Sequence, residues 1–335
     1  MIGISFYLND PAAAERISLA GKTGVKRAFT SLHLPEEQGE LAERAKKLLQ
    51  LASENAIEVF ADVSYNTPSH LGIDDLFQLK DLGVTGLRLD DFFDNELILA
   101  LAAEFKIAIN ASILFEDDIL ALTSKGLKTE SLIGWHNFYP RKETGLSMEF
   151  FRQQNALFKR YNIPISAYIP GVGEKRGPLF DGLPTLEEHR KQDPFLSALQ
   201  LFHEGVEDVY IGDPDPGEQL LAKLQLFSEE KTIIVRTEAG FLHQGTYKLR
   251  PDLSRDVLRF MDTRSKTVIA PANTEMRPVG TITMDNHLYG RYQGEIQIAL
   301  RDLVADQRVN VLGKVLNDDL PLLACLPPGA TVQLV

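Results

Sequence analysis

Strand-like and helix-like hydrophobic patterns alternate from the first residue onward. Residues 1–7 read as a short apolar strand, and Asp10-Pro11 then opens a helix ending near Gly21, with Asp as N-cap and Pro at the first helical position. Residues 26–32 form the second strand. Leu41, Ala45, Leu48, Leu49 and Ala52 follow as an i, i+4, i+7, i+8 stripe, the mark of an amphipathic helix. The same alternation continues with strands at 57–63, 86–90 and 106–112, and helices at 73–82, 95–104 and 116–124. A sixth strand runs through Leu132 and Ile133 and precedes a helix over 147–161. The seventh strand is 164–170 and the eighth 206–212, with Thr185-Leu186-Glu187-Glu188 matching a capping box and Asp215-Pro216 opening a last helix. Eight β-then-α units in residues 1–228 predict a closed (β/α)8 TIM barrel rather than an open doubly wound sheet.

Past Ser228-Glu229-Glu230 the pattern changes. Short β-rich runs at 232–236, 267–270, 279–284, 295–300, 309–315 and 331–334 are separated by Pro, Gly, Asn and Asp, and 252–261 alone reads as helical. Residues 229–335 are therefore expected to form a smaller, mostly β domain.

Composition narrows the class. With 44% hydrophobic and 24% charged residues the chain has the make-up of a water-soluble globular protein. The 35 basic against 47 acidic residues leave a net charge of −12, which argues against nucleic acid or an anionic membrane as the main partner. Cys325 is the only cysteine, so no internal disulfide can form, and no apolar run has the length of a membrane span. The opening residues read as a strand rather than a signal segment, so a cytoplasmic protein is expected.

In such a barrel, chemistry sits at the carboxyl ends of the strands. The polar residues there are Ser5, Tyr7, Thr30, Ser31, His33, Asp62, Arg88, Asp90, Asn110, His136, Asn137, Tyr139, Tyr168 and Asp213, with Glu36 and Glu143 in the adjoining loops. The densest stretch is 134–147, where the only Trp, Trp135, stands beside His136, Asn137, Tyr139, Arg141, Lys142 and Glu143; Trp135 is either core or a platform for a sugar ring. Asp62 and Asp90 end neighbouring strands, and a strand spacing of about 4.8 Å would bring them close enough for one to be held protonated. Paired carboxylates of that kind serve acid/base and glycosyl-transfer chemistry. Arg88 and Asp90 share a strand face and are also readable as a structural pair. The loop Gly171-Val172-Gly173-Glu174-Lys175-Arg176-Gly177-Pro178 joins small residues to two cations and suits a phosphate or carboxylate. No phosphate-binding P-loop, dinucleotide fingerprint, cysteine zinc site or nucleophile elbow is present, and neither cofactor nor metal is expected.

Several segments carry a resemblance. They are Phe29-Thr30-Ser31-Leu32-His33-Leu34-Pro35-Glu36, Gly83-Val84-Thr85-Gly86-Leu87-Arg88-Leu89-Asp90, Trp135-His136-Asn137-Phe138-Tyr139-Pro140-Arg141 with Glu143-Thr144-Gly145, Arg176-Gly177-Pro178-Leu179, Gly182-Leu183-Pro184-Thr185-Leu186-Glu187, Tyr210-Ile211-Gly212-Asp213-Pro214 and Leu288-Tyr289-Gly290-Arg291-Tyr292-Gln293-Gly294-Glu295. Together they resemble the bacterial 6-phospho-N-acetylmuramidase family across nearly the whole chain; Asp91-Phe92-Phe93 departs from the family pattern. The resemblance implies a TIM barrel followed by a cyclophilin-like β domain. It also implies cytoplasmic hydrolysis of N-acetylmuramic acid 6-phosphate β-1,4-linked to N-acetylglucosamine, a disaccharide of peptidoglycan recycling. Asp62 and Asp90, then Glu36 and Asp213, are the expected catalytic carboxylates. Arg88, Lys175, Arg176 and Arg291 suit the phosphate and lactyl carboxylate, while Asn110, His136, Asn137, Tyr139 and Glu143 complete the expected substrate contacts. The second domain would serve as a lid or as the surface of a homodimer. Two other readings compete. A pyridoxal-phosphate racemase shares the layout but needs a lysine ending the first strand, which residues 2–8 lack. A non-catalytic phosphosugar-binding module would tolerate loss of every strand-end carboxylate.

Overall fold

The alternation closes on itself. In the computed structural model, which describes residues 1–32, 41–89, 93–238 and 240–335, eight parallel strands form one closed barrel in sequence order. They are β1 (Ile2–Ser5), β2 (Arg27–Ser31), β3 (Glu58–Val63), β4 (Val84–Leu89), β5 (Lys106–Asn110), β6 (Leu132–Trp135), β7 (Ile165–Ile169) and β8 (Asp208–Ile211), with β1 paired to both β2 and β8. The helices between them are α1 (Ala13–Lys22), α2 (Leu41–Glu54), α3 (Thr67–Leu71), α4 (Asn95–Ala102), α5 (Glu116–Ser124), α6 (Met148–Arg160), α7 (Pro194–His203) and α8 (Glu218–Glu230). The α2 stripe works as its spacing requires: Ala45, Leu48, Leu49 and Ala52 are all buried.

Side chains two residues apart on a strand share a face, and this step organises the barrel interior into three levels. The middle level is aromatic: Phe29, Phe60, Trp135, Tyr168 and Tyr210 belong to one buried cluster with Ala108. The Trp135 ring lies 4.2 Å from Tyr210, 5.3 Å from Phe60 and 5.7 Å from Phe29. Space for these rings comes from glycine. A Cβ on Gly3 would sit 2.3 Å from the Tyr210 ring, and one on Gly86 2.3 Å from the Phe60 ring. Two residues toward the amino ends, Arg27, Glu58, Lys106 and Asp208 form an ion-pair network, with Lys106 Nζ 2.9 Å from Glu58 and Arg27 bonded to Asp208. Two residues toward the carboxyl ends stand Ser5, Ser31, Asp62, Arg88, Asn110 and Asn137. An aromatic plug thus separates a charged base from a polar crown.

The chain divides into two compact units, Met1–Gln225 and Leu226–Val335, with the division inside α8. The second unit holds two sheets: β10 (Gly245–Lys248), β15 (Thr331–Leu334) and β9 (Thr232–Val235) in one, and β11 (Val257–Arg259), β13 (Ile296–Ala299), β12 (Thr281–Asp285) and β14 (Val309–Lys314) in the other. Pairing is antiparallel except between β15 and β9. A single turn of helix, α9 (Leu320–Leu323), precedes β15. Among the described residues no helix is long and apolar enough to cross a membrane.

Three sequence expectations are corrected. The helix expected over 73–82 is replaced by α3 and a 3-10 turn, Leu76–Leu79. Gly72 closes α3 in the left-handed region (φ 64°), and the Asp75 carboxylate accepts the amides of Phe77 and Gln78 to start the turn afresh. The helix expected over 252–261 is mostly irregular and contains β11, because Val257, Leu258 and Arg259 pair with Ala299, Ile298 and Gln297 of β13. The expected strand at 267–270 is absent, whereas β10 went unread.

Candidate active site

The polar crown begins at a register match. Asp62 on β3 and Arg88 on β4 are direct cross-strand partners, and Arg88 Nη1 donates to Asp62 Oδ1 at 2.7 Å with both side chains buried. Arg88 Nη2 also donates to the side-chain oxygen of Asn137, which accepts a second bond, 3.0 Å, from Asn110 Nδ2. Four consecutive strands therefore supply one hydrogen-bonded line across the mouth: Asp62, Arg88, Asn110 and Asn137. A planar guanidinium fixed at both ends is what holds a carboxylate at one orientation.

Asn137 is braced from behind. Its amide donates to Ser112 Oγ at 2.9 Å, which leaves the Ser112 hydroxyl to donate to His136 Nδ1 at 3.2 Å. His136 Nε2–H then donates to Asn155 Oδ1 of α6 at 2.9 Å. Burial holds the His136 imidazole at a pKa of about 4, opposed by the Asn155 bond and assisted by the Arg88 charge, so the ring is neutral at physiological pH. This places His136 outside the barrel wall as a brace for its neighbour rather than as a group facing the substrate. Trp135 is fully buried in the aromatic plug, which removes the sugar-platform reading.

The loop after β7 folds around Asp213. This fully buried carboxylate accepts the amides of Gly171 (3.0 Å), Arg176 (3.2 Å) and Leu183 (3.3 Å), and lies 3.4 Å from Lys175 Nζ. Its oxygens are bonded to the loop, so in this structure Asp213, one of the expected catalytic carboxylates, braces the loop after β7. Lys175 bonds the Gly171 carbonyl as well. The Arg176 guanidinium stacks 4.0 Å above the Tyr7 ring, and the Tyr7 hydroxyl donates to the Gly212 carbonyl at 2.6 Å.

The long crest after β6 is riveted by residues the sequence had explained otherwise. Thr185 and Glu188 form no capping box. The Thr185 hydroxyl donates to the Asn137 carbonyl and accepts from the Tyr168 amide, both 2.9 Å. Glu187 accepts from the amide of Gly145 at 2.8 Å and from Arg190 Nε at 2.6 Å; the Arg190 bonds, ahead of the backbone amides, hold its pKa near 2. Arg190 Nη2 in turn donates to the carbonyls of Tyr139 and Arg141 at 3.0 and 3.2 Å. Tyr139 is half-buried and Glu143 is exposed at φ 69°, both on this crest.

Glu36, Asp90 and His33 lie outside the described residues. Arg291 belongs to the second unit, where its guanidinium lies 5.0 Å from the Tyr292 ring and donates to the Tyr292 hydroxyl. Among the described residues no group of three or more His, Cys, Asp or Glu could hold a metal ion. Ser112 was legible only as a polar residue two positions past Asn110, because β5 ends at Asn110 and alternation does not extend to it. Asn155 carried a weaker sign, a polar residue among the buried Phe151, Leu157 and Phe158 of α6. Arg190 had only its (i, i+3) spacing from Glu187, since its other partners are backbone carbonyls, those of Tyr139 and Arg141 from a distant loop.

A comparison with curated protein sequences finds no match. Among solved structures the chain is similar to a conserved Enterococcus faecalis protein of unknown function, at 35% identity and a TM-score of 0.83, covering 100% of this chain and 96% of that one. It is also similar to an uncharacterized B. cereus protein, at 27% identity and a TM-score of 0.80, covering 100% and 99%. The sequence model for the N-terminal part of 6-phospho-N-acetylmuramidase matches residues 2–226, and that for the C-terminal part matches residues 224–335. With the N-terminal model matched along the closed barrel and the C-terminal model along the β unit, the chain belongs to the 6-phospho-N-acetylmuramidase family.

Proposed function

We propose that this chain is a cytoplasmic glycoside hydrolase of peptidoglycan recycling that cleaves N-acetylmuramic acid 6-phosphate β-1,4-linked to N-acetylglucosamine. The observation that carries the reading is the buried Asp62–Arg88 pair at the carboxyl end of a barrel whose whole sequence matches this family. Glycosidic cleavage needs two carboxyl groups in different protonation states flanking the bond. Asp62 is assigned as one; it accepts a hydrogen bond from the Arg88 guanidinium. The second is drawn from Asp90 and Glu36. The substrate's phosphate and lactyl carboxylate are dianionic and anionic, and the half-buried cations Lys175 and Arg176 of the loop after β7 are the groups assigned to them, Arg176 by its bidentate fork.

The test is turnover of the 6-phosphorylated disaccharide beside its unphosphorylated twin, with Asp62→Asn and Asp90→Asn in parallel. Cleavage confined to the phosphorylated sugar, with kcat lowered by at least about 100-fold in Asp62→Asn while the fold survives, supports the reading. A wild-type protein that binds the phosphosugar without ever cleaving it would instead be a binding module.

A further inference from the structure

Burying a hydroxyl without a hydrogen-bond partner is costly, and each such group in a folded protein asks for an explanation. Among the described residues, buried side-chain atoms left without a partner include Thr30 Oγ1, Trp135 Nε1 and the Tyr168 hydroxyl. Their settings differ. Thr30 stands between the inward-facing Phe29 and Ser31, so its side chain belongs to the helix layer. Trp135 Nε1 is enclosed by the aromatic plug. Tyr168 is on the inward face near the carboxyl end of β7, with its ring packed at 5.4 Å from Phe29 and 5.0 Å from Phe138, a half-buried residue of the mouth.

The backbone of Tyr168 is tied to the same constellation as Asp62 and Arg88: its amide meets the Thr185 hydroxyl that also holds the Asn137 carbonyl. Its phenol feels the Arg88 and Asp62 charges in opposite directions, while burial, the largest influence, pushes it well above the ordinary tyrosine value. The phenol therefore keeps its proton throughout the physiological range. A phenylalanine would pack against Phe29 and Phe138 equally well. The oxygen has no structural use among the described residues.

The geometry points to the Tyr168 hydroxyl as a hydrogen-bond donor to a neutral oxygen of the bound sugar, a ring hydroxyl or the acetamido carbonyl. This rests on the glycosidase reading above. The cations that suit the substrate's phosphate and carboxylate are in the loop after β7, whereas Tyr168 offers an uncharged, unpartnered donor on β7, its ring packed against Phe138 of the mouth. Tyr168 is fully buried, so the assignment requires a neighbouring mouth side chain to shift when sugar enters, and the half-buried Phe138, packed 5.0 Å from the Tyr168 ring, is the neighbour assigned that shift.

Tyr168→Phe tests this with two readouts on the full chain. The melting temperature should stay level or rise, since an unsatisfied oxygen is removed. On the 6-phosphorylated disaccharide, kcat/KM should fall about 10- to 100-fold, by the same factor from pH 6 to pH 8, because the phenol does not ionise there. Unchanged kcat/KM beside an active wild type overturns the assignment and leaves the glycosidase reading intact. A lower melting temperature with unchanged kcat/KM also overturns it, marking the oxygen as structural. If the variant loses both fold and activity, the wild-type complex with a thio-linked analogue decides: a sugar oxygen within about 3 Å of the hydroxyl supports the assignment, and none there overturns it. Wild type inert toward the phosphosugar removes the glycosidase reading and the assigned ligand together.

Discussion

At the scale of single residues, the site depends on one buried charge pair. Removing one partner of such a pair leaves the other charge buried, at a cost of about 3–5 kcal/mol, while removing both can be nearly neutral. Arg88→Met should therefore destabilise the barrel by roughly 3 kcal/mol in urea unfolding, and Asp62→Leu with Arg88→Met by clearly less than the sum of the two single changes. Additive losses would show that the pair is not coupled. The polar residues of this line were readable in advance as strand-end positions, since Asp62, Arg88, Asn110 and Asn137 all fall at or just past the carboxyl ends of strands. Asp213 was readable as a strand-end carboxylate but not as a loop brace. Only the folded loop brings the amides of Gly171, Arg176 and Leu183 to its oxygens.

At the scale of elements, two devices shape the mouth. Aromatic rings fill the barrel because facing strand positions are bare, so Gly86→Ala should cost about 1–3 kcal/mol, its Cβ being directed at the Phe60 ring. A loss under 0.5 kcal/mol would show that Phe60 has room to yield. The crest after β6 is held by Arg190, whose guanidinium bridges Glu187 and four backbone carbonyls. Arg190→Ala should leave those carbonyls unsatisfied and raise KM for the phosphosugar more than it lowers kcat, since it positions the crest and touches no reacting atom. An unchanged KM would separate the crest from substrate binding. The helix over 147–161 was placed correctly, and the structure shows Ser147 as its cap, accepting the Phe150 amide at 3.2 Å. The 252–261 segment was misread because pairing with β13 overrides local propensity.

At the scale of the whole molecule, the two units carry opposite pH responses. His136 and His189 are buried with pKa values near 4, both through burial, against 6.5 for an unburied imidazole. The unfolded chain thus binds more protons between those values, so barrel stability is full above about pH 6.5 and falls as pH drops toward 4, by up to about 3 kcal/mol per histidine. Asp285, in the second unit, is raised from 3.8 to about 7 by burial and then by the neighbouring Glu295 charge. Here the folded state holds the proton more tightly, and the contribution is lost as pH rises through 7. Amide exchange, corrected for intrinsic rate, should show protection of β3 and β6 decreasing and that of β12 and β13 increasing between pH 6.5 and 4.5. Asp285→Asn should flatten the second response alone. A common sign in both units would refute the assignment.

What the sequence by itself determined is the (β/α)8 count, the polar strand ends and the β texture of the second unit, since these follow from spacing along the chain and from the twofold alternation of strands. The tertiary structure decided which polar residue faces the mouth and which braces it. His136 and Asn137 are adjacent in sequence and equally polar, yet the folded chain turns one toward α6 and the other toward Arg88. Hydrogen-bond partners from distant loops, such as those of Arg190 and Asp213, obey no sequence period. They exist only once the barrel closes, because closure is what brings those loops within bonding distance.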